Sequence, residues 1–497
     1  MKKYYLLLLL CLGYVTLHAQ HTPVQWVVGI GPAGHNMFDF TTGTLNIQPL
    51  TGATAHFTET SAAIGNTDSS LLYYSNGVAI YNSNHVKIQN GDSLSPSPLW
   101  PDLNHGLRFY QAAVFIPYPG DSNKIYIFHY SLDSLYFPCA NGTFDGGPDK
   151  LYYSVIDKTL NNGHGAVIAK NNVIQNTLLG HGIFTVKHGN GRDWWVVVRD
   201  VTQPVFYRFL ISPTGIAGPF TQTIGPVACG GFNSMRYSAL TNKMACFRVF
   251  YNYPNVRFID IYDFDRCTGL YANPQTVTIT HYMPGAIFSG FCEVAPGGRY
   301  LYAAIYDKLL QYDLTAANIQ ASAVVVDTID SINFGINRHA YAHMQAAPDG
   351  KIYSVSGSAS ILMSVINNPD SAGKACNPAA GSINIPNGMN SDLPYIPLYE
   401  LGSLPGSACD TLTAIAEPLP KNKLLVYPNP ASNQLTIDNL QLTNKPFTVT
   451  IYDVLGKAHL IQNTNSSTFD ISTLTPGLYV LHLQQGDTIY TGRFVKE

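Results

Sequence analysis

Carboxyl groups that could act as general acids or bases are few in this chain of 497 residues, and glutamate is especially rare. Before residue 402 the glutamates are Glu59, Glu293 and Glu400. Cleavage of a glycosidic bond uses two carboxyl groups that flank the bond. Glu293, in GFCEVAPGG at the edge of a predicted strand, is the best candidate for such a role. The serine-nucleophile motif G-x-S-x-G does not occur in the sequence, so we predict no catalytic residues.

Three aspartates, Asp260, Asp263 and Asp265, recur at short spacing in IDIYDFDRCTG, and a calcium ion would suit such a cluster. The segment lacks the D-x-[DN]-x-[DN]-G pattern and the terminal glutamate of an EF-hand loop. We therefore favour a structural role at turns and keep calcium as the alternative. His339 and His343 are four residues apart, but Ala340 stands where the zinc motif H-E-x-x-H has its glutamate. We predict no metal site.

A glycine-rich segment near the start, GIGPAG at 29–34, matches the dinucleotide motif G-x-G-x-x-G. In that motif a helix must follow, because its N-terminus holds the pyrophosphate. Here HNMFDFTTG follows instead, which has the character of a strand and a turn. We therefore predict no cofactor site, and we expect these glycines to shape a loop between strands.

The N-terminus predicts an export signal. Lys2 and Lys3 precede the apolar run YYLLLLLCLGYV, and LHAQ follows it. The run is short for a membrane span, so a cleaved signal peptide over residues 1–19 is the better interpretation. Cleavage would fall after Ala19 and leave Gln20 first. No second apolar run of about 18 residues occurs, and we predict no transmembrane span in the mature chain.

Cysteine usage agrees with export, because disulfides form in oxidising compartments. Seven of the eight cysteines remain after removal of Cys11, and spacing alone cannot settle their connectivity. Cys229 with Cys246, and Cys267 with Cys292, are close enough in sequence to join neighbouring strands. These four are the predicted disulfide candidates, and the odd total leaves at least one thiol without a partner in the chain.

Composition predicts an all-β protein that does not bind nucleic acid. Apolar residues make up 46% of the chain and charged residues only 12%, with a net charge of −3. Such a chain offers no basic surface for phosphates. Short runs rich in tyrosine, valine and isoleucine alternate with glycine, asparagine and proline turns from about residue 26 to 401. That alternation is typical of antiparallel strands.

The strand-like runs also repeat. APGGRYLYAAIYDKLLQYDL at 295–314 and APDGKIYSVSGSASILMSVI at 347–366 share one form: a turn, a strand, a short turn and a strand. Repeats of this kind indicate a β-propeller, in which each blade covers its neighbour's faces. About 375 residues at roughly 50 per blade predict about seven blades. We assign the propeller to 20–402, a proline-rich linker to 403–423, and a small Ig-like β-sandwich to 424–497.

The final segment resembles a known family. VYPNPASNQLTI at 426–437, VTIYDVLGK at 449–457, LTPGLYVLHL at 474–483 and the basic end GRFVKE match the type A C-terminal sorting domain of the type IX secretion system. The resemblance implies export through the outer membrane to the cell surface or beyond, with the secretion machinery as partner. The predicted sorting-signal residues are Tyr427, Pro428, Asn429, Pro430, Gly456, Pro476, Gly477, Tyr479 and Lys496.

The segment upstream of the sorting domain resembles the propeller-like domains of Bacteroidetes surface proteins, which are related in pattern to YVTN and WD-repeat propellers. Segments that carry the resemblance include SLLYYSNGVAIYNSNHVKIQNG and FIDIYDFDRCTGL. This resemblance implies a fold and a location without a known activity. We expect a binding module for a glycan or a surface protein, since tyrosine- and asparagine-rich loops suit polar and aromatic recognition. The alternative is a secreted hydrolase or lyase with its site at the central channel.

Overall fold

Two compact units make up the chain, Met1–Thr411 and Leu412–Glu497. The computed structural model describes residues 21–29, 34–97, 106–131, 134–139, 142–227, 234–249, 255–281, 290–329, 340–356, 359–390, 393–410, 424–438, 447–453, 457–464, 466–485 and 488–497. The predicted signal peptide and its cleavage position, Ala19 and Gln20, lie outside these ranges, and so do Cys229, His339 and Gly456.

The first unit consists of successive antiparallel sheets. Two three-stranded sheets come first: β1 (Gln25–Gly29), β2 (His35–Asp39) and β3 (Asn46–Leu50), then β4 (Ala62–Gly65), β5 (Leu71–Ser75) and β6 (Ile80–Asn82). The next sheet, ordered β7-β8-β11-β12, comprises β7 (Ala113–Pro117), β8 (Lys124–Tyr130), β11 (Lys150–Asp157) and β12 (Ala166–Asn176), with the hairpin β9 (Ser134–Cys139) and β10 (Gly142–Gly147) inserted.

Four further sheets have four strands each, in chain order across the sheet. They are β13 (Phe184–Lys187), β14 (Trp194–Arg199), β15 (Val205–Ser212) and β16 (Gly215–Thr223); β17 (Met235–Ser238), β18 (Lys243–Val249), β19 (Val256–Phe264) and β20 (Tyr271–Thr280); β21 (Phe291–Val294), β22 (Tyr300–Ala304), β23 (Lys308–Asp313) and β24 (Val324–Thr328); and β25 (His343–Ala346), β26 (Ile352–Val355), β27 (Ser360–Ile366) and β28 (Pro378–Met389).

The first strands of these sheets lie side by side around a central axis. Strand β4 contacts β7, β13 contacts β17, β17 contacts β21, and β21 contacts β25. The ring closes where β28 of the last sheet contacts all three strands of the first sheet. Asn36 donates to the carbonyl of Gly388 over 2.8 Å at this junction. The arrangement is a β-propeller, which confirms the predicted all-β fold; the number of about seven blades stays a prediction.

The apolar core lies between neighbouring sheets. One cluster joins Phe247 and Ile259 of one sheet to Leu301 and Ala303 of the next. Because both faces of an interior sheet are covered, its strands are continuous apolar runs without strict alternation. All six residues of β14 are buried for this reason. The repeated turns that signalled the fold have one backbone conformation, with Gly298 at φ +80° and Gly350 at φ +78°, which favours glycine.

The second unit has two antiparallel sheets. One comprises β29 (Leu425–Tyr427), β30 (Gln434–Asp438) and β33 (Thr468–Asp470), and the other, ordered β32-β31-β34-β35, comprises β31 (Phe447–Asp453), β32 (Ala458–Thr464), β34 (Gly477–Gln485) and β35 (Thr488–Lys496). Buried side chains from both sheets, among them Leu435, Ile451 and Leu481, form one core. This is the small C-terminal β domain that the sequence predicts.

Helical structure among the described residues is confined to 3-10 turns at Asn161–Gly163, Gln320–Ser322 and Gly373–Cys376. Within the same ranges, no helix has the length and apolar character needed to cross a membrane. The propeller residues are therefore held in place almost entirely by strand pairing and by the packing of sheets.

Candidate functional site: a pocket at one end of the propeller channel

A cavity of 280 Å³ lies at one end of the propeller channel. Its lining comes from β13, β17, β21 and β25, and from residues 395–401, which follow the last sheet. Residues in the turns between first and second strands also line it, including Ala239, Pro296 and Pro348. Four sheets thus contribute to one concave pocket, and concave pockets are where ligands usually bind. We call it the channel pocket.

An ion pair lies in the lining of the channel pocket. The Nε of Arg236 on β17 donates to Oε2 of Glu293 on β21 over 2.6 Å, and both residues are buried. Oε1 of Glu293 accepts from the backbone N–H of Val294 over 3.0 Å. Nη1 of Arg236 donates to Oε1 of Gln111 over 2.9 Å, and Nη2 donates to the carbonyl of Met344 over 3.3 Å. Both charges are thus compensated within the protein.

The surroundings of Glu293 act on its pKa in opposite directions. Burial raises the pKa of the carboxyl, because a charge loses its hydration there. The guanidinium of Arg236 lowers it through its charge and its hydrogen bond. Glu293 was the acidic residue that the sequence favoured for chemistry, and the structure places it at the channel as the partner of Arg236. That contact commits the carboxylate to a structural bond.

Gln345 on β25 is a further polar residue in the lining of the channel pocket. Its side chain is 5% exposed. The Nε2 donates to the carbonyl of Ala346 over 3.1 Å, which orients the amide. Its Oε1 has no hydrogen-bond partner among the residues that the structure describes, and the atom has less than 1 Å² of accessible surface. Buried acceptors are nearly always satisfied in folded proteins, so Gln345 is an exception in the wall of the channel pocket.

The sequence contains a signal for Gln345, which becomes visible when the two repeats at 295–314 and 347–366 are aligned. Glu293 stands two residues before the Ala295-Pro296 pair, and Gln345 stands two residues before Ala347-Pro348. In the structure both are the penultimate residues of first strands, β21 and β25. The sequence reasoning singled out Glu293 and missed Gln345, because it compared residue types and did not compare positions within the repeat.

The remaining lining is largely apolar. Phe184 and Tyr237 come from β13 and β17, and Ile396 and Leu398 come from the segment after β28. Phe184 and Tyr237 are buried in the cluster between their two sheets. The channel pocket therefore combines apolar walls with a few polar groups from first strands, which is the composition of small-molecule sites.

Residues 393–410, which we call the strap, run from the last sheet along the first strands. Tyr395 forms a parallel bridge with Ala62 of β4, and its ring lies 5.1 Å from the guanidinium of Arg236. The hydroxyl of Tyr399 donates to the carbonyl of Phe115 on β7 over 2.7 Å. Both tyrosines are buried. The strap is thus part of the propeller and one wall of the channel pocket.

The end of the strap is bonded to the turn after β19. Cys409 forms a disulfide with Cys267. The N–H of Leu404 donates to the carbonyl of Gly189 over 2.7 Å, and Arg266 donates to the carbonyl of Gly402 over 2.6 Å. The predicted linker begins at residue 403, yet its first residues are attached to the propeller. The division of the chain into 20–402, 403–423 and 424–497 stays a prediction.

The disulfide pairing differs from the expected one. Cys267 is bonded to Cys409 and not to Cys292, while Cys246 and Cys292 are buried thiols. Cys246 lies inside β18 and Cys292 inside β21, and both side chains are fully buried. Burial raises the pKa of Cys246 to about 11 and that of Cys292 to about 12, so both stay protonated. Proximity in sequence did not predict the partner of Cys267, because the strap brings the distant Cys409 next to the turn that holds Cys267.

The aspartates of IDIYDFDRCTG are held by protein donors. Asp260 accepts from Arg199 over 3.1 Å and from Arg248 over 2.5 Å. Asp263 accepts from Lys243, and Asp265 accepts from the N–H of Cys267 over 2.8 Å at the following turn. Among the residues that the structure describes, no group of three potential metal ligands comes together.

Other residues raised by the sequence lie in the core. His343 is buried on β25, on a strand and not on a helix. Trp194 and Trp195 are both buried; Trp195 donates to the carbonyl of Arg266 over 2.8 Å, and Trp194 has an edge contact with Tyr399. Gly29 ends β1, ahead of a strand at His35–Asp39 and not of a helix. These residues support the fold and the strap.

Several of the predicted sorting-signal residues meet at one end of the second unit. Asn429 accepts from the N–H of Val495 over 2.9 Å, the neighbouring Ala431 bridges Lys496, and Lys496 pairs with Gly477. Tyr479 is buried and donates to the carbonyl of Thr475 over 2.9 Å, near Pro476. Tyr427 is 51% exposed, just before Pro428, and Pro430 lies in the following bend.

The comparisons with known proteins concern both units. Residues 425–497 match the family model of the secretion system C-terminal sorting domain. No curated protein matches the chain. Among solved structures, a Bacteroides fragilis protein and a Bacteroides uniformis protein, each proposed to be a 6-phosphogluconolactonase, are 12% and 13% identical. They align with 77% and 76% of this chain, 99% and 98% of their own, and have TM-scores of 0.44 and 0.45.

A third structure is PorZ, a surface component of the type IX secretion system of Porphyromonas gingivalis. It is 11% identical, with 96% of this chain and 74% of its own covered and a TM-score of 0.24. The match of residues 425–497 to the sorting domain indicates how the chain is exported. The chain is exported through the outer membrane by type IX secretion, to the cell surface or the extracellular space, and its C-terminal domain is the part that the secretion machinery recognises.

Proposed function

We propose that the propeller is an extracellular binding module for a glycan or a surface protein, and that its ligand enters the channel pocket. The observation that carries the proposal is the cavity of 280 Å³ that the first strands of four sheets and the strap line together. Polar groups on rigid strands and apolar walls are what a recognition site requires.

Binding is favoured over a hydrolase or lyase because of the state of Glu293. A general acid or base must exchange a proton with the substrate, so its carboxyl must be free to reach the reacting atom. In Glu293, Oε2 instead accepts a hydrogen bond from Arg236, and Oε1 accepts one from the N–H of Val294. Glu400 also lines the channel pocket, but one further carboxyl does not supply the pair that glycoside cleavage needs.

The test is a glycan array probed with the chain from Gln20 to Glu497 and with two tryptophan variants. Ala239→Trp places a large ring in the lining of the channel pocket at an exposed turn. Val325→Trp is the matched control, at a residue of the outer strand β24 that is 46% exposed. We expect the wild type and V325W to bind the same glycans and A239W to lose them. Equal binding by A239W would contradict the assignment of the ligand to the channel pocket, and an array without any bound glycan would contradict the glycan as ligand.

A further inference from the structure

The outer face of one sheet in the second unit carries contiguous apolar side chains. Leu478 on β34 is 48% exposed and Val495 on β35 is 41% exposed, and the two residues are direct partners across the strands. Side chains two residues apart on a strand share a face, so the next pair, Val480 and Arg493, lies on the same face. Tyr452 on β31 is the partner of Val480. We call these five residues the outer patch.

The opposite face of the same strands forms the core. Tyr479, Leu481 and Phe494 are buried there, so the strands are apolar on both faces at this end. A sheet with one solvated face normally alternates apolar and polar residues. That alternation holds farther along β31, where Thr448 and Thr450 face outwards. The outer patch is therefore a local feature that core packing does not explain.

The other sheet of the second unit has a polar outer face. Gln434 pairs with Asp470, and Thr436 pairs with Thr468, with 3.1 Å between the two threonine hydroxyl oxygens. Single exposed apolar residues are common on protein surfaces, whereas contiguous exposed apolar patches mark interaction sites. The outer patch thus singles out one of the two outer faces as the candidate contact surface.

The edge of β35 beside the outer patch is already hydrogen-bonded. The N–H of Val495 donates to Oδ1 of Asn429 over 2.9 Å, and its carbonyl accepts from the N–H of Ala431 over 2.8 Å. The carbonyl of Thr491 accepts from the N–H of Leu424 over 2.9 Å. Recognition by strand addition needs free backbone groups at an edge. A partner at this end of the domain must therefore contact the side chains of the face.

Recognition by the secretion machinery is the role of this unit, and the outer patch adjoins its predicted sorting signal. Gly477 and Lys496 are partners across β34 and β35, next to the pair Leu478 and Val495. We infer that the outer patch is the surface by which the sorting domain docks on a protein of the type IX secretion machinery. The partner surface is apolar, with a carboxylate facing the exposed guanidinium of Arg493. This inference concerns export and is independent of the proposed binding function.

The experiment follows export of the full-length chain in cells with an intact type IX system. The variants Leu478→Glu and Val495→Glu place a charge in the outer patch. Thr468→Glu places the same charge at an exposed residue of the other sheet and is the matched control, while Leu478→Ile keeps the apolar surface. Cell fractionation and immunoblotting measure the exported fraction, and thermal unfolding of each purified chain verifies its fold.

We expect L478E and V495E to reduce the exported fraction by about 10-fold or more, because a charge buried at a contact without a partner opposes association. T468E and L478I should be exported like the wild type. Export of folded L478E and V495E at the level of T468E would overturn the outer patch as the docking surface.

A second variant separates docking from folding. Leu478→Thr combined with Val495→Thr removes the apolar surface but retains residues that suit exposed strands. We expect this double variant to unfold at the wild-type temperature and to be exported less than the wild type. Its normal export would overturn the proposal, whatever the glutamate variants do.

The charge and the occupant are tested separately. Arg493→Glu should reduce export and Arg493→Lys should preserve it, and normal export of R493E would overturn the carboxylate on the partner. Size-exclusion chromatography of the purified wild type and L478E tests whether two copies associate through the outer patch. A wild-type dimer that L478E dissociates without loss of export would overturn the secretion machinery as the occupant.

Discussion

Buried carboxyls in the propeller have contrasting surroundings at the scale of single residues. Glu293 has Arg236 as its partner, and Asp260 lies between Arg199 and Arg248. Glu59 differs from both, because its buried Oε2 has no hydrogen-bond partner among the residues that the structure describes. Burial raises the pKa of Glu59 to about 8, against the opposing charge of Arg108. The carboxyl of Glu59 is therefore protonated below about pH 8, whereas that of Glu293 is paired with a cation.

The raised pKa of Glu59 predicts a pH dependence of stability. A carboxyl whose pKa is higher in the folded state than the ordinary 4.5 binds its proton more tightly there. Its contribution is complete below about pH 4.5 and is lost as the pH rises towards 8. Between these values the free energy of unfolding should fall by up to about 1.4 kcal/mol per pH unit. Urea unfolding at pH 5, 6.5 and 8 measures the slope.

Glu59→Gln should remove that slope and stabilise the protein at pH 8 relative to the wild type. Asp68→Asn is the control, because hydrogen bonds from Ser70 lower the pKa of Asp68 and keep it ionised throughout the range. If E59Q and the wild type lose stability equally between pH 5 and 8, the buried carboxyl is not the cause.

The Arg236–Glu293 pair predicts a second effect on stability. Arg236→Met leaves the carboxylate of Glu293 buried without its cation, and such a loss typically costs about 3–5 kcal/mol. The double variant Arg236→Met/Glu293→Met removes both charges and should recover most of that loss. Chemical denaturation of the two variants makes the comparison. A double variant as unstable as the single one would show that the charge of Glu293 is not responsible.

At the scale of elements, the strap is the feature that joins separate parts of the propeller. It contacts β4 through Tyr395 and β7 through Tyr399, and it ends at the disulfide of Cys409. The strap passes the turn after β13, and glycine is needed there at position 189. A Cβ on Gly189 would lie 2.3 Å from Sγ of Cys409. Packing and one covalent bond together hold this segment on the ring.

Loss of the disulfide should loosen the end of the strap. Cys267 and Cys409 are 142 residues apart, and closing a loop of that length stabilises the fold by up to about 5 kcal/mol in the chain-entropy description. Cys409→Ser should lower the thermal midpoint and speed hydrogen exchange at the N–H of Leu404. A reductant should speed exchange at the N–H of Leu404 in the wild type and leave exchange at that N–H unchanged in C409S. Equal exchange in both proteins would contradict this account of the strap.

At the scale of the whole molecule, the chain consists of two units, each with its own apolar core. The propeller core lies between sheets that end before residue 411, and the second unit has a separate core around Leu435 and Leu481. The sorting domain directs the chain across the outer membrane, while the channel pocket lies wholly within the first unit. The sorting domain and the channel pocket, to which we assign the proposed binding, therefore belong to separate units.

Truncation after Asp410 tests this division. We expect the truncated chain to remain on the inner side of the outer membrane, because the sorting domain is missing, and to retain the thermal unfolding transition of the propeller. Cell fractionation and calorimetry provide the two measurements. Release of the truncated chain into the medium by intact cells would contradict the role of residues 425–497.

The sequence by itself determined those features that depend on neighbours along the chain. Strand runs and turns such as APGG and APDG are local patterns, so they predicted the all-β propeller, and the sorting motifs predicted the second unit. The residues of the channel pocket and the strap were not accessible in the same way. Arg236 and Glu293 are 57 residues apart, and Cys267 reaches Cys409 only because the ring closes. Strand periodicity is set within a few residues, whereas these contacts depend on which sheets become neighbours around the axis, and tertiary packing alone decides that.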